Sequence, residues 1–296
     1  MRYLHLRVKK EPDRVAPEPG GISAEQLAHD STTPIALRQI NGLPLNAEKR
    51  VYRALLPPSL LTQVGIDPIT WKGADGDQHI VLTAEPESGA MHVSARTSAD
   101  APDDFLCIEL SDNPFNGIDL GLLLLSDPSS PRFGTDSDEE GRPTLFGTAR
   151  RNLGEEERAM HAGLAPAQVR SSLGASGLVL QHIEGFLVAL GHRAWFLEPL
   201  TYVSAWVFER RGFAYVRGHK LMDDIHKEFQ PGGRLHQVLD GSTPFRQPDQ
   251  WRTVRGRAWA IHDGILEAIG ATWNGLRMVK QVGRHAGVET FPGAVY

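Results

Sequence analysis

The sequence contains a single cysteine, Cys107, which excludes an internal disulfide framework and a cluster of metal-binding thiolates. It also lacks a long hydrophobic run, since the stretch GLLLLS is far shorter than the roughly 20 residues of a membrane-spanning helix. The first residues have no apolar core of the kind found in a secretory signal peptide. From these absences we expect a cytoplasmic protein with no membrane partner.

Several motifs that mark large enzyme classes are missing. The chain has no Walker phosphate loop, no Gly-x-Ser-x-Gly nucleophile elbow, no dinucleotide-binding fingerprint and no internal repeat. It also lacks a basic excess, because its formal net charge is -5 over 296 residues. Proteins that bind nucleic acid usually carry a basic face, so we expect no nucleic-acid partner.

The composition that is present is that of a folded protein with a substantial core. Hydrophobic residues make up 41% and charged residues 23% of the chain, which is long enough for one large domain or two ordinary ones. Its pattern changes twice along the chain. Residues 1–75 read as an irregular extension with short helices, residues 76–220 as the core, and residues 221–296 as a helical extension packed on it.

The core segment has a clear order of predicted elements. Four strand-length stretches, HIVLTAE, MHVSAR, DFLCIEL and IDLGLLLLS, are separated by turn-forming residues and predict an antiparallel meander that buries Cys107. A polar connection is followed by the apolar helix LVLQHIEGFLVAL, the strand AWFLEPL, the helix YVSAWVFERR and the strand FAYVRGH. We therefore predict an α/β (α+β) fold, with a mixed, mostly antiparallel sheet flanked by helices.

The end of the helix YVSAWVFERR carries a recognisable motif. Its charged residues 209–211 are expected to be solvated, and Gly212-Phe213 ends the helix and begins a strand. Together with Thr201, Ser204 and Phe208, this spacing resembles the Asn-x-x-Ala-x-x-x-Tyr-x-x-x-Gly-Phe pattern of the GNAT superfamily of acyl-coenzyme A N-acyltransferases. The resemblance covers about half the chain and implies an acyl-coenzyme A N-acyltransferase-like fold with N- and C-terminal extensions.

The preceding helix begins with a second stretch that is similar to this family. In SSLGASGLVLQHIEGFLVALGH, small residues occupy the places where the family binds the pyrophosphate of coenzyme A on backbone N–H groups. The resemblance implies acetyl-coenzyme A, or another acyl-coenzyme A, as co-substrate. The residues that it assigns to cofactor binding are Ser171, Gly174, Ala175, Ser176, Gly177, Thr201 and Phe208.

The resemblance also implies a reaction, in which an amine of a small molecule or peptide attacks the thioester directly. Glu198, at the end of a strand, is the expected general base, although a strand-end carboxylate in water is an equal interpretation. Glu109 and Asp119 are weaker candidates. Phe208 replaces the family's tyrosine and has no hydroxyl for the leaving thiolate, so Tyr202 is the possible substitute acid.

The C-terminal segment suggests a second function. Arg246, Arg255, Arg257, His262 and Asp263 combine charge with turn glycines and predict a polar pocket for the substrate. The alternative to an enzyme is therefore a catalytically silent GNAT-like protein that binds a small anionic ligand through these arginines. A buried Arg–Asp network that holds the extension on the core is an equally good interpretation.

Two further hypotheses concern metals and assembly. His226, Glu228, His236 and Asp240 have residue types that bind metals, and a metal-dependent hydrolase using them is a third, weaker reading. A Pro-Gly-Gly break interrupts these residues and no His-x-x-x-His pair is nearby, so we predict no metal site. Exposed edges of a mixed sheet make a homodimer plausible.

Overall fold

The computed structural model describes residues 33–145, 147 and 149–296. These residues form two compact units. Unit 1 combines the described residues up to 128 with residues 172–196, and unit 2 combines residues 129–171 with residues 197–296. The units are thus composed differently from the sequence segments 1–75, 76–220 and 221–296, because each unit joins stretches that are distant in sequence. The first 32 residues of the extension predicted for residues 1–75 lie outside the described residues.

The elements alternate along the chain, and their bounds are given in chain order. The α-helices of the described part are α1 (Leu37–Asn41), α2 (Leu45–Tyr52), α3 (Pro58–Gln63), α4 (Leu153–His161), α5 (Ser176–Ala189), α6 (Tyr202–Arg210), α7 (His219–Glu228), α8 (Arg234–Gln237) and α9 (Val254–His262). The strands are β1 (Ile80–Thr83), β2 (Ala90–Ala95), β3 (Leu106–Asp112), β4 (Ile118–Leu125), β5 (Ala194–Leu197), β6 (Ala214–Arg217) and β7 (Arg277–Gln281).

Unit 1 contains the predicted antiparallel meander, which is confirmed. Strand β1 pairs with β2, β2 with β3 and β3 with β4, all antiparallel, and the strand order is β1-β2-β3-β4-β5. Alternate residues such as Met91 and Val93 are buried, as expected for a sheet with one face on the core. Cys107 is buried within β3 as predicted, and its burial raises the pKa of the thiol to about 12.

Helix α5 supplies the other side of the unit 1 core. The predicted apolar stripe is buried, and the ring of Phe186 lies 5.9 Å from that of Tyr52. Beyond its C-terminal end, Gly191 takes a left-handed conformation with a φ of 84°, as expected of a residue that stops a helix. No helix among the described residues is both long and apolar enough to cross a membrane.

Unit 2 packs helices α6, α7, α8 and α9 around one hydrophobic core. Its two strands, β6 and β7, pair antiparallel, with Ala214 opposite Val279 and Tyr215 opposite Met278. Strand β7 was not predicted, since the sequence RMVKQ is short and mostly polar. The described residues therefore make a mixed α/β protein with seven strands, most of them paired antiparallel.

The sharp end of helix α6 has a definite backbone cause. Gly212 adopts a φ of 88°, and its N–H donates to the carbonyl of Glu209 at 2.9 Å. The N–H of Phe213 donates to the carbonyl of Phe208 at 3.1 Å, and the two rings meet with centroids 5.2 Å apart. This is the Schellman arrangement with its hydrophobic contact, and it lets a buried Phe213 lead directly into β6.

One prediction about this helix was wrong. Glu209 was expected to be solvated, but only 1% of the residue is exposed. Its carboxylate accepts hydrogen bonds from the Tyr215 hydroxyl at 2.6 Å, from the Thr290 hydroxyl at 2.6 Å and from the Thr290 N–H at 3.1 Å. Burial and the charge of Glu209 raise the pKa of Tyr215. The buried carboxylate is thus satisfied by donors from β6 and from a segment distant in sequence.

Candidate functional site

Helix α5 begins without a capping side chain. Gly174 has a φ of 73°, and Ala175 occupies the N-cap position, where it has no oxygen to accept from the first-turn N–H groups of Gly177 and Leu178. Helices α6 and α9, in contrast, are capped by the side chains of threonines. A helix N-terminus with free N–H groups carries partial positive charge and suits an anion.

The residues predicted to bind coenzyme A are divided between the two units. Gly174, Ala175, Ser176 and Gly177 lie in unit 1, where Gly174 is exposed and a side chain there would meet nothing within 4 Å. Ser171 lies in unit 2, and its N–H donates to the Ser130 hydroxyl at 3.1 Å. The loop before α5 therefore has the open backbone that the prediction requires, whereas Ser171 belongs to a different compact unit.

Two further residues that were predicted to bind the cofactor belong to the two ends of helix α6. Thr201 is its N-cap, and its hydroxyl accepts from the N–H of Ser204 at 3.1 Å. The Ser204 hydroxyl in turn accepts from the Thr201 N–H at 2.9 Å, which completes a capping box. Phe208 is half-buried against Phe213. Thr201 thus stabilises the beginning of the helix, and Phe208 stabilises its end.

Glu198, the expected general base, lies directly after β5 in unit 2. Its side chain is 58% exposed and lies 3.4 Å from the Arg277 guanidinium and 4.0 Å from that of Arg217. A carboxylate can act as a general base toward an amine. Its geometry is also that of an ordinary surface ion pair.

The other acids named as candidate bases lie in unit 1. Oε1 of Glu109 in β3 lies within hydrogen-bond distance of Nδ1 of His92, at 2.9 Å. Asp119 in β4 accepts from the side-chain amide of Asn113 at 2.8 Å. Neither contact by itself indicates a base for acyl transfer.

Tyr202, the possible substitute acid, is enclosed in the core of unit 2. Its ring meets that of Trp273 edge-on, with centroids 6.0 Å apart. Burial raises the pKa of Tyr202, and the positive charge of Arg257 opposes this rise. Only 2% of the residue is exposed, so the proposed reaction does not depend on its hydroxyl.

Arg257 is a fully buried cation. Its Nε donates to the carbonyl of Trp251 at 2.7 Å, and its Nη1 lies 3.3 Å from Nδ1 of His226. The guanidinium lies over the ring of Phe291, 3.5 Å from the centroid. Burial lowers the pKa of Arg257, and burial and this positive charge lower that of His226. Arg257 is thus surrounded by aromatic and polar groups of unit 2.

Three of the predicted substrate residues take part in an ion-pair network. Asp263 accepts from Nε of Arg246 at 2.8 Å and from Nη1 of Arg151 at 2.8 Å. Arg151 also pairs with Glu156, whose other oxygen lies 3.2 Å from Nε2 of His262. This arrangement agrees with the interpretation of a buried Arg–Asp network. Arg151 precedes Asp263 by 112 residues and Glu156 precedes His262 by 106, so the pattern of the C-terminal segment does not reveal these partners.

Arg255 differs from these residues because it borders a cleft in unit 2. The cleft has a volume of about 720 Å³ and lies between α4 and the segment that leads into α9. Arg255 donates to the carbonyl of Gly163, and its guanidinium lies 5.0 Å from the ring centroid of Tyr296. The other polar residues of the cleft wall include Glu157, His161, Ser242, Thr243, Asp249 and Gln250.

The histidines and acids considered as metal ligands do not come together. Glu228 pairs with Arg234 at 3.2 Å, and Asp240 accepts from the N–H of Ser242 at 2.9 Å. The ring of His236 packs edge-on against Trp251. These contacts give no support to a metal-dependent hydrolase built on this segment.

Comparison with known proteins adds no relative to this picture. The resemblance to the GNAT superfamily therefore rests on the motifs of the sequence and on the order of the elements. Family models, curated proteins and solved structures were all compared with the chain, and none of them matches it.

Proposed function

We propose that this protein is an acyl-coenzyme A-dependent N-acyltransferase, with acetyl-coenzyme A as the expected donor and an amine of a small molecule or peptide as the acceptor. The observation that carries the proposal is the uncapped start of α5, preceded by a left-handed Gly174. Small residues there leave backbone N–H groups open to an anion such as the coenzyme A pyrophosphate. This is the place where the family resemblance puts the cofactor.

The order of the elements supports the same proposal. Four antiparallel strands are followed, after the connection that contains α4, by helix α5, strand β5, helix α6 and strand β6, and the last four are the elements on which the resemblance was based. The glycine and phenylalanine of the motif, Gly212 and Phe213, end α6 by backbone hydrogen bonds and a ring contact. The motif residues thus have a structural reason for their spacing.

In the proposed reaction the acceptor amine attacks the thioester carbonyl carbon directly. A C–N bond forms, the C–S bond breaks, and the coenzyme A thiolate leaves and takes a proton from solvent. Glu198 accepts the proton that the amine loses, and its exposure allows the proton to pass on to water. Backbone dipoles polarise the carbonyl in such a reaction.

The first test is a calorimetric titration of the protein with acetyl-coenzyme A, repeated with the variant Gly177→Asp. Gly177 is the second residue of α5, where an acidic side chain favours the helix through its dipole but repels a bound phosphate. A unit charge about 4 Å from a phosphate costs on the order of 4 kcal/mol near a protein surface. We therefore expect affinity to fall at least about tenfold.

The matched control is Gly154→Asp, at the same position of helix α4. A side chain there meets nothing within 4 Å, so the variant adds the same charge away from the proposed site. It is expected to bind acetyl-coenzyme A as the parent does, and both variants are expected to melt no lower than the parent. If the parent does not bind, or if both variants bind equally well, the proposal is wrong.

A catalytically silent protein that binds a small anion is the second candidate. Two observations favour it: Phe208 has no hydroxyl, and Tyr202 is buried in the core of unit 2. The arginine proposed to hold such a ligand is Arg255, which lines the cleft of unit 2. Acetyl-coenzyme A binding without turnover of any amine, or anion binding that Arg255→Met abolishes, would favour this candidate over the enzyme.

A further inference from the structure

Two neighbouring strands of unit 1 place three potential metal ligands on one face of the meander. In the β2–β3 register His92 lies opposite Glu109, and Ser94 lies opposite Cys107. Side chains two residues apart on a strand share a face, so His92, Cys107 and Glu109 are cross-strand neighbours. Among the residues that the structure describes, this group has its potential ligand atoms within 4.8 Å of one another.

The distances within this group suit a tetrahedral metal ion. The sulfur of Cys107 lies 3.7 Å from Nδ1 and 3.8 Å from Nε2 of His92. Bonds of about 2.0 Å to nitrogen and about 2.3 Å to sulfur at a tetrahedral angle separate the two ligand atoms by about 3.5 Å. The sulfur and Nδ1 of the histidine are therefore within a few tenths of an ångström of the separation that a metal requires.

Glu109 completes the group and leaves one side open. Its Oε1 lies 2.9 Å from Nδ1 of His92, and its side chain is 46% exposed, against 38% for His92. Cys107 is buried, in contrast to these two partly exposed side chains. A β-bulge begins directly after Glu109, and on β4 the exposed Gly121 has no side chain to cover this carboxylate. A solvent molecule can reach the group from outside.

We propose that His92, Cys107 and Glu109 bind a zinc-type divalent cation through an imidazole nitrogen, a thiolate and a carboxylate oxygen, with water as the fourth ligand. The donor set of nitrogen, sulfur and oxygen is the one that zinc takes in proteins. Three protein ligands and an open fourth position are typical of sites at which the metal keeps a bound water. The thiol proton passes to solvent as the Cys107–metal bond forms.

This site is independent of the proposed acyl transfer and was not predicted from the sequence. The histidines and acids that the sequence pattern offers as ligands lie in the C-terminal segment, and their side chains do not come together. Cys107 was taken only as a buried strand residue. The ligands of the new site are contributed by two strands, and the strand register brings them together.

The experiment uses the untagged, reduced full chain after removal of metals with a chelator. Zinc alone is titrated by calorimetry, and cobalt alone is titrated by absorption spectroscopy. We expect one equivalent of zinc to bind in the micromolar range or tighter. We also expect the cobalt form to show the intense ligand-field bands of a tetrahedral ion together with a thiolate-to-cobalt charge-transfer band, which reports Cys107 because the chain has no other cysteine.

Variants test whether these residues are the ligands. His92→Gln changes a half-exposed position and is expected to weaken zinc binding at least about a hundredfold, since even outer-shell partners are worth ten to a hundredfold. Cys107→Ala removes the charge-transfer band. The matched control is His219→Gln, because His219 pairs with Asp223 at 3.4 Å in the same way but has no cysteine nearby.

Each outcome of these titrations supports or overturns the proposed site. No zinc binding by the parent overturns the proposal, and so does binding that His92→Gln leaves unchanged, because the metal would then be elsewhere. If circular dichroism shows that Cys107→Ala is unfolded, zinc binding by His92→Gln and the cobalt spectrum of the parent test the proposal. Loss of binding in His92→Gln but not in His219→Gln supports the site.

Discussion

The buried carboxylate of Glu209 offers a quantitative test of how unit 2 is held together. It accepts three hydrogen bonds, two from the hydroxyls of Tyr215 and Thr290 and one from the Thr290 N–H, and all of these donors are uncharged. The substitution Tyr215→Phe removes one donor and leaves the ring in place. Only 1% of Glu209 is exposed, so its carboxylate is shielded from bulk solvent.

The expected cost follows from this enclosure. A hydrogen bond to a charged group contributes about 1.5–3 kcal/mol to stability, so Tyr215→Phe is expected to lower the free energy of unfolding by about 2 kcal/mol. Thr290→Val keeps the backbone donor and is expected to cost a similar amount. Because the two hydroxyls share one acceptor, the double variant should deviate from additivity by about 0.5–3 kcal/mol.

The assay is equilibrium unfolding in urea, followed by tryptophan fluorescence and by circular dichroism. Tyr296→Phe is the matched control, because the Tyr296 ring stacks on Trp206 and its substitution is expected to change stability by less than about 0.5 kcal/mol. If Tyr215→Phe behaves like this control, the carboxylate does not depend on that hydrogen bond and the reasoning fails.

Two other predictions concern backbone and pH. Gly212→Ala is expected to lower the free energy of unfolding more than Gly270→Ala does. Both glycines have a positive φ, which costs about 1 kcal/mol in alanine, but only at Gly212 would a Cβ lie 2.9 Å from the Cα of His285. Urea unfolding of both variants tests this order. Although burial raises the pKa values of Glu156 and Asp263, hydrogen bonds from histidine, arginine and threonine partners bring both below their ordinary values. The stability that these two carboxylates contribute is therefore complete above about pH 4.5 and is lost as the pH falls through their depressed pKa values. When the free energy of unfolding is measured from pH 7 to 3, Asp263→Asn should lose less of it toward low pH than the parent does.

Much of the fold could be predicted because its signals are local. The four strands β1 to β4 are short stretches rich in apolar residues and separated by turn formers, and the long apolar stripe of α5 ends at Gly191. The stop of α6 at Gly212-Phe213 was also predicted, since a left-handed glycine followed by an apolar residue closes a helix with its own backbone. These features need only residues that are near one another in sequence.

The sites could be predicted only in part, because side chains find partners far along the chain. Glu209 meets Thr290, 81 residues away, and so becomes buried although its neighbours in sequence are charged. Arg151 meets Asp263 across 112 residues, and this contact places Asp263 in an ion-pair network. A pattern of residue types shows that such groups are present, but it does not show which of them will share a buried space.

The sequence by itself determined the order and type of the main elements, since hydrophobic period and glycine placement act over a few residues. The tertiary structure alone decided which side chains meet. His92 and Cys107 are 15 residues apart, and a shift of one residue in the pairing of β2 and β3 would turn one of them to the opposite face. The register of the sheet, set by burial of its other face, brings the imidazole, the thiol and the carboxylate of Glu109 together.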